Sequence, residues 1–202
     1  MIVKNSEISG AQAAKIISDG GVIAFRTDTF YGLGVDPFNR DAILRLRELK
    51  GREEAKPILL LISDANELDR FTSNSQFLRM IAVGHWPGPL TLIGGALPAV
   101  PVELTAGTQT IGLRLPDDAN VRALVRACGG ALTATSANVS GQPPARTAKE
   151  VENYFPEGID LIIDGGEVTA TQPSTVLDLT QPKARLIREG AISRDELGEL
   201  LG

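Results

Sequence analysis

The longest apolar runs in this 202-residue chain, such as Ile58 to Ile62, are only as long as a strand, and that bounds the fold. Such runs can build a sheet but cannot cross a bilayer as a helix. Rich in β-branched residues, they alternate with stretches of helical periodicity, which is the pattern of an α/β or α+β fold. Strands are expected at Val22–Phe25, Ile58–Ile62, Leu90–Ile93, Thr110–Leu115, Leu132–Ala134, Leu161–Asp164 and Thr175–Leu179. Helices are expected at Gly10–Ser18, Asp41–Leu49, Ser75–Ala82, Ala119–Cys128, Ala148–Tyr154 and Arg194–Leu201. Thr147 with Glu150, and Ser193 with Glu196, have the spacing of capping boxes. Strict strand–helix alternation fails between Leu90 and Leu115, where Pro98, Pro101 and Gly107 favour a hairpin or loop. The expectation is a twisted, mixed β-sheet flanked by helices, in a single domain over residues 1–202.

Composition narrows the chemistry. The 20 basic and 25 acidic residues give a net charge of −5, which argues against a tight grip on nucleic acid. Cations cluster instead within short motifs, a pattern suited to a small polyanion. One histidine and one cysteine cannot supply a Cys/His zinc site. His85 stands before Trp86-Pro87-Gly88, a turn, and no Gly-x-Ser-x-Gly elbow accompanies it. Cys128 alone makes no internal disulfide, and the first residues lack an apolar signal core, so a cytoplasmic location off the membrane is the expectation.

Four motifs carry the polar residues. Arg26-Thr27-Asp28-Thr29-Phe30-Tyr31-Gly32-Leu33-Gly34 follows a strand end, where open sheets bind ligands; it reads equally as a capped turn. Lys50, Arg52 and Lys56 follow a helix that stops near Gly51, as a cationic rim or as solvated charges beyond the helix end. Because Lys50 and Arg52 sit in a polar segment beyond the helix end, their removal is expected to open no core cavity. Arg114 lies inside the apolar strand Thr110–Leu115 and needs either an anionic ligand or an internal carboxylate. Thr135-Ser136-Ala137-Asn138-Val139-Ser140-Gly141 offers small donors after a buried strand, for a ligand or for a turn. Ser174 and Arg188, before Glu189-Gly190, have structural readings of the same kind.

Taken in order, these motifs resemble those of the YrdC-type threonylcarbamoyl-adenylate synthases, over about Gly21 to Gly190. Lys50 and Arg52 with Ser136 and Asn138 match the Lys-x-Arg and Ser-x-Asn tetrad of that family's active members. The chain departs from the pattern at Arg26, where the family usually has proline. The resemblance implies one YrdC-like domain that makes threonylcarbamoyl-adenylate and pyrophosphate from L-threonine, bicarbonate and ATP, for modification of an adenosine in tRNA. It implies Lys50, Arg52, Ser136 and Asn138 as catalytic residues. Thr29, Tyr31, Arg114 and Ser174 would contact threonine. Arg52, Lys56, Thr110, Ser136, Asn138 and Arg188 would contact ATP. Mg2+ is expected through the phosphates, with no protein-held metal, and tRNA threonylcarbamoyl-transfer proteins are expected downstream. Three alternatives were weighed: a YrdC-fold paralogue with another nucleotide-dependent reaction, a carbamoyl-transfer domain of the hydrogenase-maturation kind, and a non-catalytic RNA-binding module. The intact tetrad counts against the first, the chain's length against the second, and the acidic charge and 4% aromatic content against the third.

Overall fold

The structure, a computed structural model, describes residues 1–51 and 56–201. In chain order it runs β1 (Ile2–Lys4), α1 (Glu7–Ser18), β2 (Ile23–Arg26), β3 (Tyr31–Gly34), α2 (Arg40–Leu49), β4 (Leu59–Ile62) and a 3-10 turn at Ala65–Arg70. Then follow α3 (Ser75–Ala82), β5 (Leu90–Gly95), α4 (Val102–Thr105), β6 (Thr110–Arg114), α5 (Ala119–Ala127) and β7 (Ala131–Ser136). The chain continues through α6 (Ala148–Tyr154), β8 (Leu161–Asp164), β9 (Thr175–Asp178), β10 (Arg185–Arg188) and α7 (Gly198–Leu201). Among the described residues ten strands form one sheet, ordered β1-β8-β2-β3-β7-β4-β6-β5-β9-β10. It is mixed: β8 runs parallel to β1 and β2, while β7 is antiparallel to β3 and β4. The expected twisted mixed sheet with flanking helices is therefore what the chain forms.

Alternation along the central strands puts one apolar set on each face. Ile23, Phe25, Leu61, Leu132 and Ile163 pack with Ala13 and Ile17 of α1 and with Val121, Leu124 and Val125 of α5. Their neighbours Val22, Ala24, Leu60 and Ile62 face the other way, with Ile43 and Leu46 of α2 and Leu78 of α3. A side chain at Gly34 would meet the Phe25 ring at 2.8 Å and the Thr133 oxygen at 3.0 Å, so β3 passes between β2 and β7 only as glycine.

Three strands were not expected from the sequence. β3 lies in the segment read as a turn, and β1 and β10 are the sheet's edges. β3 is short and glycine-rich, so its strand character comes from neighbours on both sides. The turn read there is residues 27–30, which close a β2–β3 hairpin: the Thr27 N–H donates to the Phe30 oxygen at 3.1 Å. α1 starts at Glu7 rather than Gly10, because Ser6 and Ser9 make a capping box. At the expected box of α6, Thr147 accepts from the Glu150 N–H, but the Glu150 carboxylate turns to the Arg146 N–H. Ser193 and Glu196 do bond reciprocally, yet the regular helix begins only at Gly198.

Candidate active site

A cavity of about 750 Å3 lies over the middle of the sheet, lined by residues of the β2–β3 hairpin, β4, β5, β6, β7, the approach to β9, and β10. That volume is within the range of pockets for a nucleotide-sized ligand. Thr29, Tyr31, Thr110, Arg114, Ser136, Ser174 and Arg188, singled out from the sequence, all line it. Arg114 and Arg188 are its only charged lining residues among the described residues, so the wall is cationic without a facing carboxylate. Ile93, Val176 and Ile187 add an apolar surface beside them.

Each polar group is placed by a local device. In the hairpin, the Thr27 hydroxyl accepts from the Thr29 N–H at 3.1 Å and the Phe30 N–H at 3.2 Å, which fixes Thr29 at the tip. Arg114, at the end of β6 and 4% exposed, donates from Nη2 to Asp28 and from Nη1 to the Thr29 hydroxyl at 3.2 Å. The internal salt bridge left open by the sequence is thus formed, and the guanidinium still lines the cavity. Burial pushes the Arg114 pKa down, and the adjacent Asp28 carboxylate opposes that shift. Arg188 donates from Nε and Nη2 to the Ser174 oxygen at 3.2 and 2.9 Å. Burial, and then the nearby charge of Arg114, lower the Arg188 pKa. Two guanidiniums that repel each other in a half-desolvated wall are a site for an anion. The Ser174 hydroxyl shares a hydrogen bond with Thr91, at 2.9 Å. At Gly190 a Cβ would stand 2.2 Å from the Pro173 oxygen, so only glycine lets the chain leaving Arg188 fold over Ser174.

The tetrad divides. Ser136 is exposed in the cavity wall at the end of β7. Lys50 is buried and not part of the wall: its ammonium donates to the backbone oxygens of Ser136 and Asn138, at 2.5 and 2.7 Å, and to Asn138 Oδ1 at 3.2 Å. Asn138, also buried, directs its Nδ2 to the oxygens of Val139 and Gln142. Lys50 and Asn138 thus tie the loop after β7 to the end of α2. Lys50, expected in a polar segment beyond the helix end, is therefore a buried cation bonded to backbone oxygens, so its loss would strand them. Arg52 lies outside the described residues.

Tyr31 is fully buried, and its hydroxyl donates to the Gly166 oxygen at 2.9 Å and accepts from the Gly165 N–H at 3.2 Å. Burial raises its pKa to about 12. Lys56 is exposed and not a lining residue; its backbone oxygen accepts from Arg47 at 3.1 Å. Thr110 does line the cavity, its hydroxyl sharing a 2.9 Å hydrogen bond with Thr108. Thr27 and Thr135, both within the polar motifs, line it too, as does Thr91, which the sequence reading passed over. Thr91 sits on a strand whose apolar neighbours dominate the local pattern, so only the register reveals it. Arg26, the departure from the family pattern, donates to Asp118 at 2.9 Å, and the other oxygen of that carboxylate caps α5.

Comparison with known proteins gives a consistent picture. The family model Sua5_yciO_yrdC, described as "Telomere recombination", matches residues 15–190. The threonylcarbamoyl-AMP synthase of Pyrococcus abyssi is 35% identical over 94% of this chain, which spans 56% of that relative's length. The threonylcarbamoyl-AMP synthase of Idiomarina loihiensis is 38% identical over 83% of this chain and 91% of its own. The crystal structure of P. abyssi Sua5 complexed with L-threonine superposes with a TM-score of 0.95 at 33% identity, over all of this chain and 61% of that one.

Proposed function

The chain belongs to the Sua5/YciO/YrdC family, and from that premise we propose that it is an L-threonylcarbamoyladenylate synthase, a nucleotidyltransferase that uses L-threonine, bicarbonate or CO2, and ATP. The observation that carries the reading is the convergence of Arg114, Arg188, Ser174, Thr29 and Ser136 on one cavity with no facing carboxylate. Such a wall suits two anionic substrates brought together, which is what the reaction demands. Threonine's amine attacks the carbon of CO2 or bicarbonate to give an N-carboxy anion; an oxygen of that anion attacks the α-phosphorus of ATP in line, and pyrophosphate leaves.

The protein's work is then positioning and charge stabilisation, without a covalent nucleophile. Arg114 and Thr29 hold the amino acid, with Ser174 beside them. Arg188 and Ser136 face the nucleotide, Thr110 flanks it, and Lys56 adds charge nearby; to Arg52 we assign the phosphate contact that its motif implies. Lys50 and Asn138 serve the site by fixing the Ser136 loop. When bound, Mg2+ neutralises charge on the phosphates. Asp28, the motif carboxylate nearest the site, is committed to Arg114, so the metal would rest on phosphate oxygens. The product is handed to tRNA threonylcarbamoyl-transfer proteins in the cytoplasm, without a tight hold on nucleic acid by this chain.

The test is pyrophosphate release with purified protein. Release should require L-threonine, bicarbonate and ATP together, with serine poorer by roughly 1–3 kcal/mol, the usual discrimination for one methyl group. Equal turnover with serine, or turnover without bicarbonate, would overturn the substrate assignment.

A further inference from the structure

Behind the hairpin tip lies a second cavity, of about 450 Å3. Thr29 lines both cavities, Arg114 lines only the larger, and Asp28 lines only the smaller. The Arg114–Asp28 ion pair, whose side chains are 5% and 13% exposed, therefore stands in the partition between them. Asp28 is itself held: its second oxygen accepts from the Asp117 N–H at 3.3 Å, just beyond β6. The guanidinium is gripped on both terminal nitrogens by neighbouring hairpin residues, while its Nε is buried without a partner among the described residues.

We propose that Asp28 is a positioning residue for the amino-acid end of the site: it fixes the direction of the Arg114 guanidinium and offsets its charge from behind the wall. This rests on the reading that Arg114 receives an amino acid. Arg114 and Arg188 bring two positive charges to the same wall, and Asp28 supplies one negative charge from behind it. Without Asp28, a long guanidinium in a desolvated wall would repel Arg188 and lose its fixed direction. Its ligand would then meet a mobile charge in place of a pre-set one. Asp28 contacts no substrate in this scheme and acts through Arg114.

The experiment is calorimetric titration of the parent, D28A and D28N with L-threonine, and separately with a non-hydrolysable ATP analogue, beside a melting curve for each. D28A should weaken threonine binding about tenfold or more, since the guanidinium loses the partner that fixes its direction. D28N keeps one acceptor oxygen, enough for Arg114 or for the Asp117 N–H but not for both, and should fall between D28A and the parent. Affinity for the ATP analogue should stay within about threefold in both variants, well under the tenfold expected for threonine. Parallel loss of both affinities would mean a general structural role and overturn the proposal, as would unchanged threonine affinity. If D28A does not fold, the threonine and analogue affinities of D28N decide by the same criterion. Failure of the parent to bind threonine would instead sink the amino-acid reading beneath it.

Discussion

The ammonium of Lys50 and the backbone oxygen of Ser136, 86 positions apart in the chain, meet at 2.5 Å beneath the loop that follows β7. One buried cation thereby joins the end of α2 to the residue that enters the cavity wall. A residue type associated with phosphate contact becomes a clamp when the acceptors around it are backbone and amide oxygens. The consequence is that stability and turnover are linked at position 50.

Lys50→Met keeps the aliphatic stem and removes the donors. It should lower unfolding free energy by about 1.5–3 kcal/mol, the usual cost of losing hydrogen bonds from a charged group. Urea unfolding monitored by circular dichroism reads this directly. Turnover should fall as well, through a displaced Ser136. A variant as stable as the parent would place the Lys50 ammonium in solvent or on substrate.

Ser136 and Asn138 should separate cleanly. Ser136→Ala, at an exposed wall position, should leave stability within about 0.5 kcal/mol of the parent. Its kcat/KM for ATP should drop about tenfold or more, as expected for a lost hydrogen bond to a phosphate. Asn138→Ala strands buried partners and should cost about 1–3 kcal/mol of stability. The opposite pattern, a stable Asn138→Ala with lost ATP affinity, would put the Asn138 amide on the nucleotide.

Tyr31 should behave as a structural phenol. Burial raises its pKa from 10.0 to about 12, so the folded state holds the proton more tightly than the unfolded chain. That contribution to stability is complete below pH 10 and is lost progressively as pH rises toward 12. Ultraviolet titration in a Tyr154→Phe background, with Tyr31 the only tyrosine, should show the phenolate forming late or with unfolding. Tyr31→Phe should cost about 1 kcal/mol of stability and leave threonine affinity unchanged. Weaker threonine binding in that variant, with stability intact, would return the hydroxyl to the amino acid.

Cys128 should resist alkylation in the folded protein. Burial pushes its thiol from 9.0 to about 12, so almost no thiolate is present near neutral pH. Iodoacetamide at pH 8 should label the native protein far more slowly than the urea-unfolded chain. Equal rates would mean that the end of α5 opens readily.

What the sequence determined by itself is local. α3 and α6 were legible to the residue, and β8 likewise, because periodicity, caps and apolar runs act within a few positions. Its motifs also identified the set of polar residues from which the cavity wall is drawn, Thr29, Arg114, Ser136, Ser174 and Arg188 among them. Pairing decided the rest. β3, with its two glycines, is a strand because β2 and β7 lie on either side of it, and β1 and β10 are strands because they dock at the edges. The orientation of each polar group was likewise a tertiary matter. Lys50 and the Tyr31 hydroxyl are held by partners from distant segments, Ser136 and Asn138 for the one and Gly165 and Gly166 for the other, out of reach of any local pattern. A side chain at an element's end takes the direction in which its desolvated polar atoms find partners, and the folded topology alone sets where those partners are.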